Sequence, residues 1–190
     1  MDIKVYFETF YNIISKFYIT DKYNQELDII KTLPLIIEKI MIVKKTDGII
    51  YLIGNGGSSS IISHVSIDLL NNCRIKAFPL TDNSQITCFA NDYGYENVFS
   101  KPLEVYLSKS DLLIAVSSSG NSRNIINAST VARSKGCYVL TFTGFKPDNP
   151  LRNLGDLNFW LESSHYGMIE TGHALILHFL TDQIYSNRMK

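Results

Sequence analysis

The chain has 190 residues, 45% hydrophobic and 19% charged, which suits a globular protein long enough for one full core. Lys and Arg total 18 and so do Asp and Glu, so bulk charge favours neither nucleic acid nor an acidic membrane surface. Cys73, Cys88 and Cys137 are too few and too scattered for a disulfide framework or a zinc ribbon, and read as small core residues in a reducing compartment.

The N-terminus, Met1 to Glu8, carries acids inside its apolar stretch and lacks the basic start of a secretory signal. No uncharged apolar run is long enough to span a bilayer. The expected location is the cytoplasm. Residues 2–18 predict a helix, with Ile3, Phe7, Phe10, Ile14 and Phe17 at helical spacing. Tyr6, Tyr11, Ile13 and Tyr18 add apolar surface outside that stripe. The helix therefore packs either on another subunit or back on its own core. A second helical segment runs from Gln25 to Lys45, with Pro34 expected to kink or split it.

Strands and helices then alternate to the end. The expected strands are 49–53, 75–80, 111–116, 137–142 and 157–161, and the expected helices 58–71, 95–107, 121–135 and 167–186. This predicts an α/β fold, a doubly wound, mostly parallel five-stranded sheet flanked by helices. Residues 144–150, with Gly144, Pro147 and Pro150, form a loop. Neither a repeat nor a linker interrupts the chain, so 1–190 reads as one domain with 1–45 as a helical oligomerisation segment.

Two turns carry the chemistry. Ile49 to Ile53 is followed by Gly54-Asn55-Gly56-Gly57-Ser58-Ser59-Ser60, and Leu112 to Val116 by Ser117-Ser118-Ser119-Gly120-Asn121-Ser122. Each joins a buried parallel strand to a helix start with exposed backbone N–H groups. The first turn lacks the spacing GxGxxG and no Walker lysine follows it, so a nucleotide cofactor is not expected. Gly and Ser are ordinary turn residues. Two such turns, both beyond the carboxyl ends of strands, favour a phosphate cradle. With no Lys or Arg inside either turn, a sugar monophosphate fits better than a polyphosphate.

The chain has 4 histidines. His64 and Asp68 are four apart on the helix after the first turn and share a face. Glu170 and His178 lie on the last helix, roughly 80° apart at 100° per residue, and can line one cleft. Alone, each pair is more often a solvated contact than a site. Behind a phosphate turn, two imidazoles and two carboxylates could bind a Zn²⁺-like metal or move protons.

These residues resemble the sugar isomerase (SIS) domain family. The match rests on Gly54 to Ser58, Asn91-Asp92-Tyr93-Gly94-Tyr95, Ser117 to Ser122, and the pattern Glu170, His173, His178. The phosphoheptose isomerase branch is the most similar. The resemblance implies a homotetramer with interfacial active sites. It implies substrate binding by Asn55, Gly56, Gly57, Ser58, His64, Asp68, Asn91, Asp92, Ser117, Ser118, Ser119, Ser122 and Glu170. It implies catalysis by Asp68 and His178, and one Zn²⁺ held by His64, Asp68, Glu170 and His178. His173 matches a family histidine outside that quartet. The family usually has Glu at position 68 and Gln at 170. Two carboxylates would offset a divalent charge, so the resemblance implies tighter metal binding here than in relatives with Gln. The 145–156 loop also departs from the branch. The implied reaction converts sedoheptulose 7-phosphate to D-glycero-D-manno-heptose 7-phosphate through an enediol. SIS domains also occur as phosphosugar sensors, as a partner of the bacterial replication initiator, and as isomerases of other sugar phosphates.

Overall fold

The computed structural model describes residues 2–188; Met1, Met189 and Lys190, included in the 1–190 reading, lie outside them. Helix α1 spans Ile3–Ile14, with the Asp2 carboxylate accepting from Lys4 N at its start. The expected helix over 2–18 ends early because Tyr18–Asp21 is a strand, β1. A hairpin joins it to β2, Glu26–Leu27. Asp21 Oδ1 accepts from Tyr23 N and Gln25 N, and Asn24 turns the chain at φ 60°. Aromatic and β-branched residues at 18–20 favour the strand, and tertiary pairing decides it.

Helix α2 runs unbroken from Ile29 to Lys45 with Pro34 inside it, against the expected kink or split. The carbonyl that Pro34 leaves unbonded belongs to Ile30. Both residues are exposed, so water can satisfy it. Beyond α2 come β3 (Ile50–Gly54), α3 (Gly57–Asn71), β4 (Ala77–Pro79), α4 (Asn83–Tyr93), α5 (Ser100–Tyr106), β5 (Leu112–Ser117), α6 (Arg123–Ser134), β6 (Tyr138–Thr143), β7 (Leu157–Trp160) and α7 (Tyr166–Arg188). The expected helix 95–107 begins instead as a 3₁₀ turn, Tyr95–Asn97, and α4 was not foreseen.

The sheet has seven strands, ordered β2-β1-β7-β6-β5-β3-β4. The expected five are present and parallel; β1 extends the sheet by antiparallel pairing to β7, and β2 pairs antiparallel with β1. Strand side chains alternate between two cores. Ile50, Leu52, Leu112, Ile114, Leu140 and Phe142 face α2, α3 and α7. Tyr51, Ile53, Leu113, Ala115 and Val139 face α5 and α6. Chain order from β3 moves out to β4, then back across β3 to β5. The gap between β3 and β5 is therefore a topological switch point, where α/β sheets bind ligands. Among the described residues no helix is long and apolar enough to cross a membrane.

Candidate active site

Both glycine–serine turns open at that switch point. Ile53 pairs with Ala115 and Gly54 with Val116, so the turns leave adjacent strands side by side. They line a cavity of about 230 Å³ with Asn55, Gly56, Gly57, Ser58, Ser117, Ser118, Ser119 and Ser122. Ser118 Oγ is buried and has no hydrogen-bond partner. An unsatisfied buried hydroxyl is costly, and a phosphate oxygen would satisfy it.

The turns are cross-braced. Asn55 Nδ2 donates to Asn124 Oδ1 at 3.0 Å, and Asn124 Nδ2 returns a bond to Asn55 Oδ1 at 2.9 Å. Tyr95 Oη also donates to Asn55 Oδ1. The 145–156 loop floors the second turn. Gly144 N donates to Ser118 O and Leu151 N to Gly120 O. Gly120 has φ +63°, and a Cβ there would overlap Asn149 Oδ1. Asn149 is itself buried, with Nδ2 donating to Gly144 O and Lys146 O. Sequence reasoning missed Asn124, Asn149 and Tyr166, which also lines the cavity. Only the position of Asn124 just after the second turn offered a signal.

A second cluster forms where α3 meets α7. Asp68 Oδ2 lies 3.2 Å from His178 Nδ1 and 3.9 Å from His64 Nε2. The two rings stand edge to face, 4.9 Å apart. One ligand atom from each residue falls within 4.8 Å of the others. Two imidazole nitrogens and a carboxylate oxygen are a suitable donor set for Zn²⁺, with a further position open.

Glu170 does not join this cluster. It lines the serine cavity, where a Cβ on Gly57 would overlap its carboxylate. Eight residues of helix separate it from His178, a rise of about 12 Å. Within one chain the described residues thus bring three of the four expected ligands together. The expectation that Glu170 tightens metal binding rests on a side chain that here sits beside the phosphate turn. Asn91 and Asp92 also stay apart: both are exposed on α4, bonded to each other, outside the serine cavity.

His173 is fully buried and separate from the triad. Its Nε2 donates to Thr143 O at 3.0 Å, and its Nδ1 has no partner. Burial lowers its pKa to about 4, so the ring is neutral near pH 7.

Residues 6–144 match the SIS domain model. The phosphoheptose isomerase of Aliarcobacter butzleri (strain RM4018) is 38% identical over 146 residues, 74% of this chain and 76% of that protein. That of Shewanella denitrificans (strain OS217) is 36% identical over 178 residues, 87% of this chain and 90% of the other. The structure of a phosphoheptose isomerase from Francisella tularensis superposes with a TM-score of 0.82 at 26% identity, covering 96% of this chain and 95% of that one. With its paired turns at the switch point and a match across most of its length, the chain belongs to the SIS domain family and, within it, groups with the phosphoheptose isomerases.

Proposed function

We propose that this chain converts sedoheptulose 7-phosphate to D-glycero-D-manno-heptose 7-phosphate. The coarser activity follows from the family: the chain is a sugar-phosphate isomerase of the aldose–ketose class.

The observation that carries the finer reading is the separation of cradle and triad. His64 lies six residues beyond Ser58 on α3, a rise of about 9 Å, and the Glu170-to-His178 rise on α7 is about 12 Å. An extended seven-carbon sugar with bonds of about 1.5 Å places its first carbon roughly 10 Å from a phosphate on its seventh. These rises support a substrate long enough to keep its phosphate in the serine cavity while C1 and C2 lie at the triad. A triose phosphate is too short.

In this reading the turn N–H groups and serine hydroxyls hold the phosphate. Asp68 and His178 are the proton carriers. A proton leaves C1 of the ketose as the C2 carbonyl oxygen gains one, giving a cis-enediol. Return of a proton to C2, with loss of the O1 proton, leaves an aldehyde at C1. His64 orients Asp68 from the open side of the triad. A divalent ion such as Zn²⁺ held by His64, Asp68 and His178 would supply Lewis-acid polarisation of the substrate oxygens. Glu170 contacts the phosphate end of the substrate instead. The reading takes the chain as one unit in the cytoplasm and as a homotetramer with interfacial sites. Exposed Ile3, Phe7 and Tyr11 on α1 support subunit contact. The exposure of Asn91 and Asp92 on α4 supports a role for them in a neighbouring subunit's site.

Incubation with sedoheptulose 7-phosphate in D₂O, with and without Zn²⁺, tests this. The expected result is the aldoheptose 7-phosphate carrying deuterium at C2. Absence of that product under both conditions would reject the reading, and turnover of a pentose or hexose phosphate alone would reassign the substrate.

A further inference from the structure

A second cavity lies at the opposite end of the sheet. It measures about 460 Å³ and sits against the amino-terminal ends of β5 and β6, within the size range of small-molecule sites. Four cations line it from four different parts of the chain. Lys22 follows β1, Lys39 is on α2, Lys109 precedes β5, and Arg133 is in the last turn of α6.

Two carboxylates also line it, and both are committed to backbone amides. Asp111 is buried; its Oδ1 accepts from Ile49 N at 2.8 Å and its Oδ2 from Ser108 N at 2.7 Å. Asp156 Oδ2 accepts from Val139 N at 2.9 Å. None of the four cations makes an ion pair within 4.0 Å among the described residues. Arg133 Nη1 donates to Asn153 O, which fixes the guanidinium. Lys39 Nζ stands 5.5 Å from the Tyr138 ring centre. Lys109 lies along Gly136, close enough that a Cβ there would touch its stem. Arg133 also offsets the C-terminal dipole of α6. That account does not extend to Lys39 in the body of α2, nor to Lys22 and Lys109 outside helices.

Four cations against two carboxylates leave the cleft net positive, and a net positive cleft focuses its field and concentrates anions. We propose that this cleft binds a small ligand carrying two or more phosphate groups. A single phosphate would engage only part of a cation set drawn from four segments; a polyphosphate can bridge it. The serine cavity has the opposite character, with hydroxyls and no lysine or arginine in its lining. The two sites can fill together. Leu112 lines the cleft and Ser117 the serine cavity, five strand residues apart or about 17 Å along β5.

Calorimetric titration of the full chain with tripolyphosphate and with orthophosphate, at fixed ionic strength and without added divalent cation, tests this. One tripolyphosphate per chain is expected in the cleft, bound at least ~10-fold more tightly than any orthophosphate whose binding the cleft substitutions weaken. The paired exposed substitutions Lys39→Gln and Lys109→Gln should weaken it at least ~10-fold, with Arg133→Gln as an independent variant. Ser118→Ala should leave it unchanged. Absence of binding, equal affinity in the cleft variants, or loss of tripolyphosphate binding in Ser118→Ala would each overturn the proposal.

Discussion

The carboxylate of Asp68 reaches across from α3 to within 3.2 Å of His178 Nδ1 on α7. The two residues are 110 positions apart, and the packing of α3 on α7 beneath one face of the sheet brings them together. Asn72 Nδ2 donates to the other Asp68 oxygen at 3.3 Å, leaving Oδ2 turned towards both imidazoles. Asp68→Asn replaces an acceptor with a weak partner for the histidines. It should lower kcat by about 100-fold or more, in the range of lost general acid–base catalysis. It should also reduce the zinc retained after dialysis. Steady-state kinetics and metal analysis on one preparation check both.

Glu170→Gln separates the two ends of the site. Glu170 lies against the first turn, away from the triad, so zinc content should stay the same. Removing a carboxylate beside a bound phosphate should tighten inorganic phosphate inhibition by about 5-fold, roughly 1 kcal/mol of like-charge repulsion. A fall in zinc content would place Glu170 back among the ligands.

Gly120→Ala tests the floor of the second turn. The new methyl meets Asn149, and φ +63° is a left-handed conformation that costs alanine about 1–2 kcal/mol. Melting should fall by several degrees, at about 2–4 °C per kcal/mol for a domain of this size. KM should rise as the serine hydroxyls lose their positions. Differential scanning fluorimetry and substrate saturation curves measure the two effects.

His173 makes stability depend on acid. Its folded pKa, lowered to about 4, lies below the ordinary histidine value of about 6.5. Between those values the unfolded chain binds the extra proton, so stability rises with pH in that window. The contribution is fully present above about pH 6.5 and is lost as pH falls towards 4. His173→Gln should flatten the change in Tm between pH 6.5 and 4 while leaving zinc binding by the triad intact. An unchanged pH slope would exclude this histidine as the source.

Helix α1 leaves Phe7 at 63% exposure and Tyr11 at 68%. Joint Phe7→Asp and Tyr11→Asp substitution should yield a smaller assembly by light scattering at the same protein concentration. An unchanged mass would remove α1 from the subunit contact.

Much of the fold was legible because the relevant signals are local. Apolar runs such as Ile49 to Ile53 mark strands buried on both faces, and turn residues mark where they stop. The hairpin of β1 and β2 was hidden because strands of four and two residues carry little periodicity, and pairing to β7 decides them. Pro34 misled for a related reason: its cost depends on whether the freed carbonyl meets water, which only the folded arrangement decides.

The sequence by itself determined the materials of the site: the two glycine–serine turns, His64 and Asp68 on one helix face, and Glu170 and His178 on another. Tertiary structure decided how they divide. It seated Glu170 against Gly57 in the serine cavity and drew His64, Asp68 and His178 into a separate triad. The reason is geometric. Helical spacing sets direction around one axis and rise along it, and contact between two helices depends on how each is laid against the sheet.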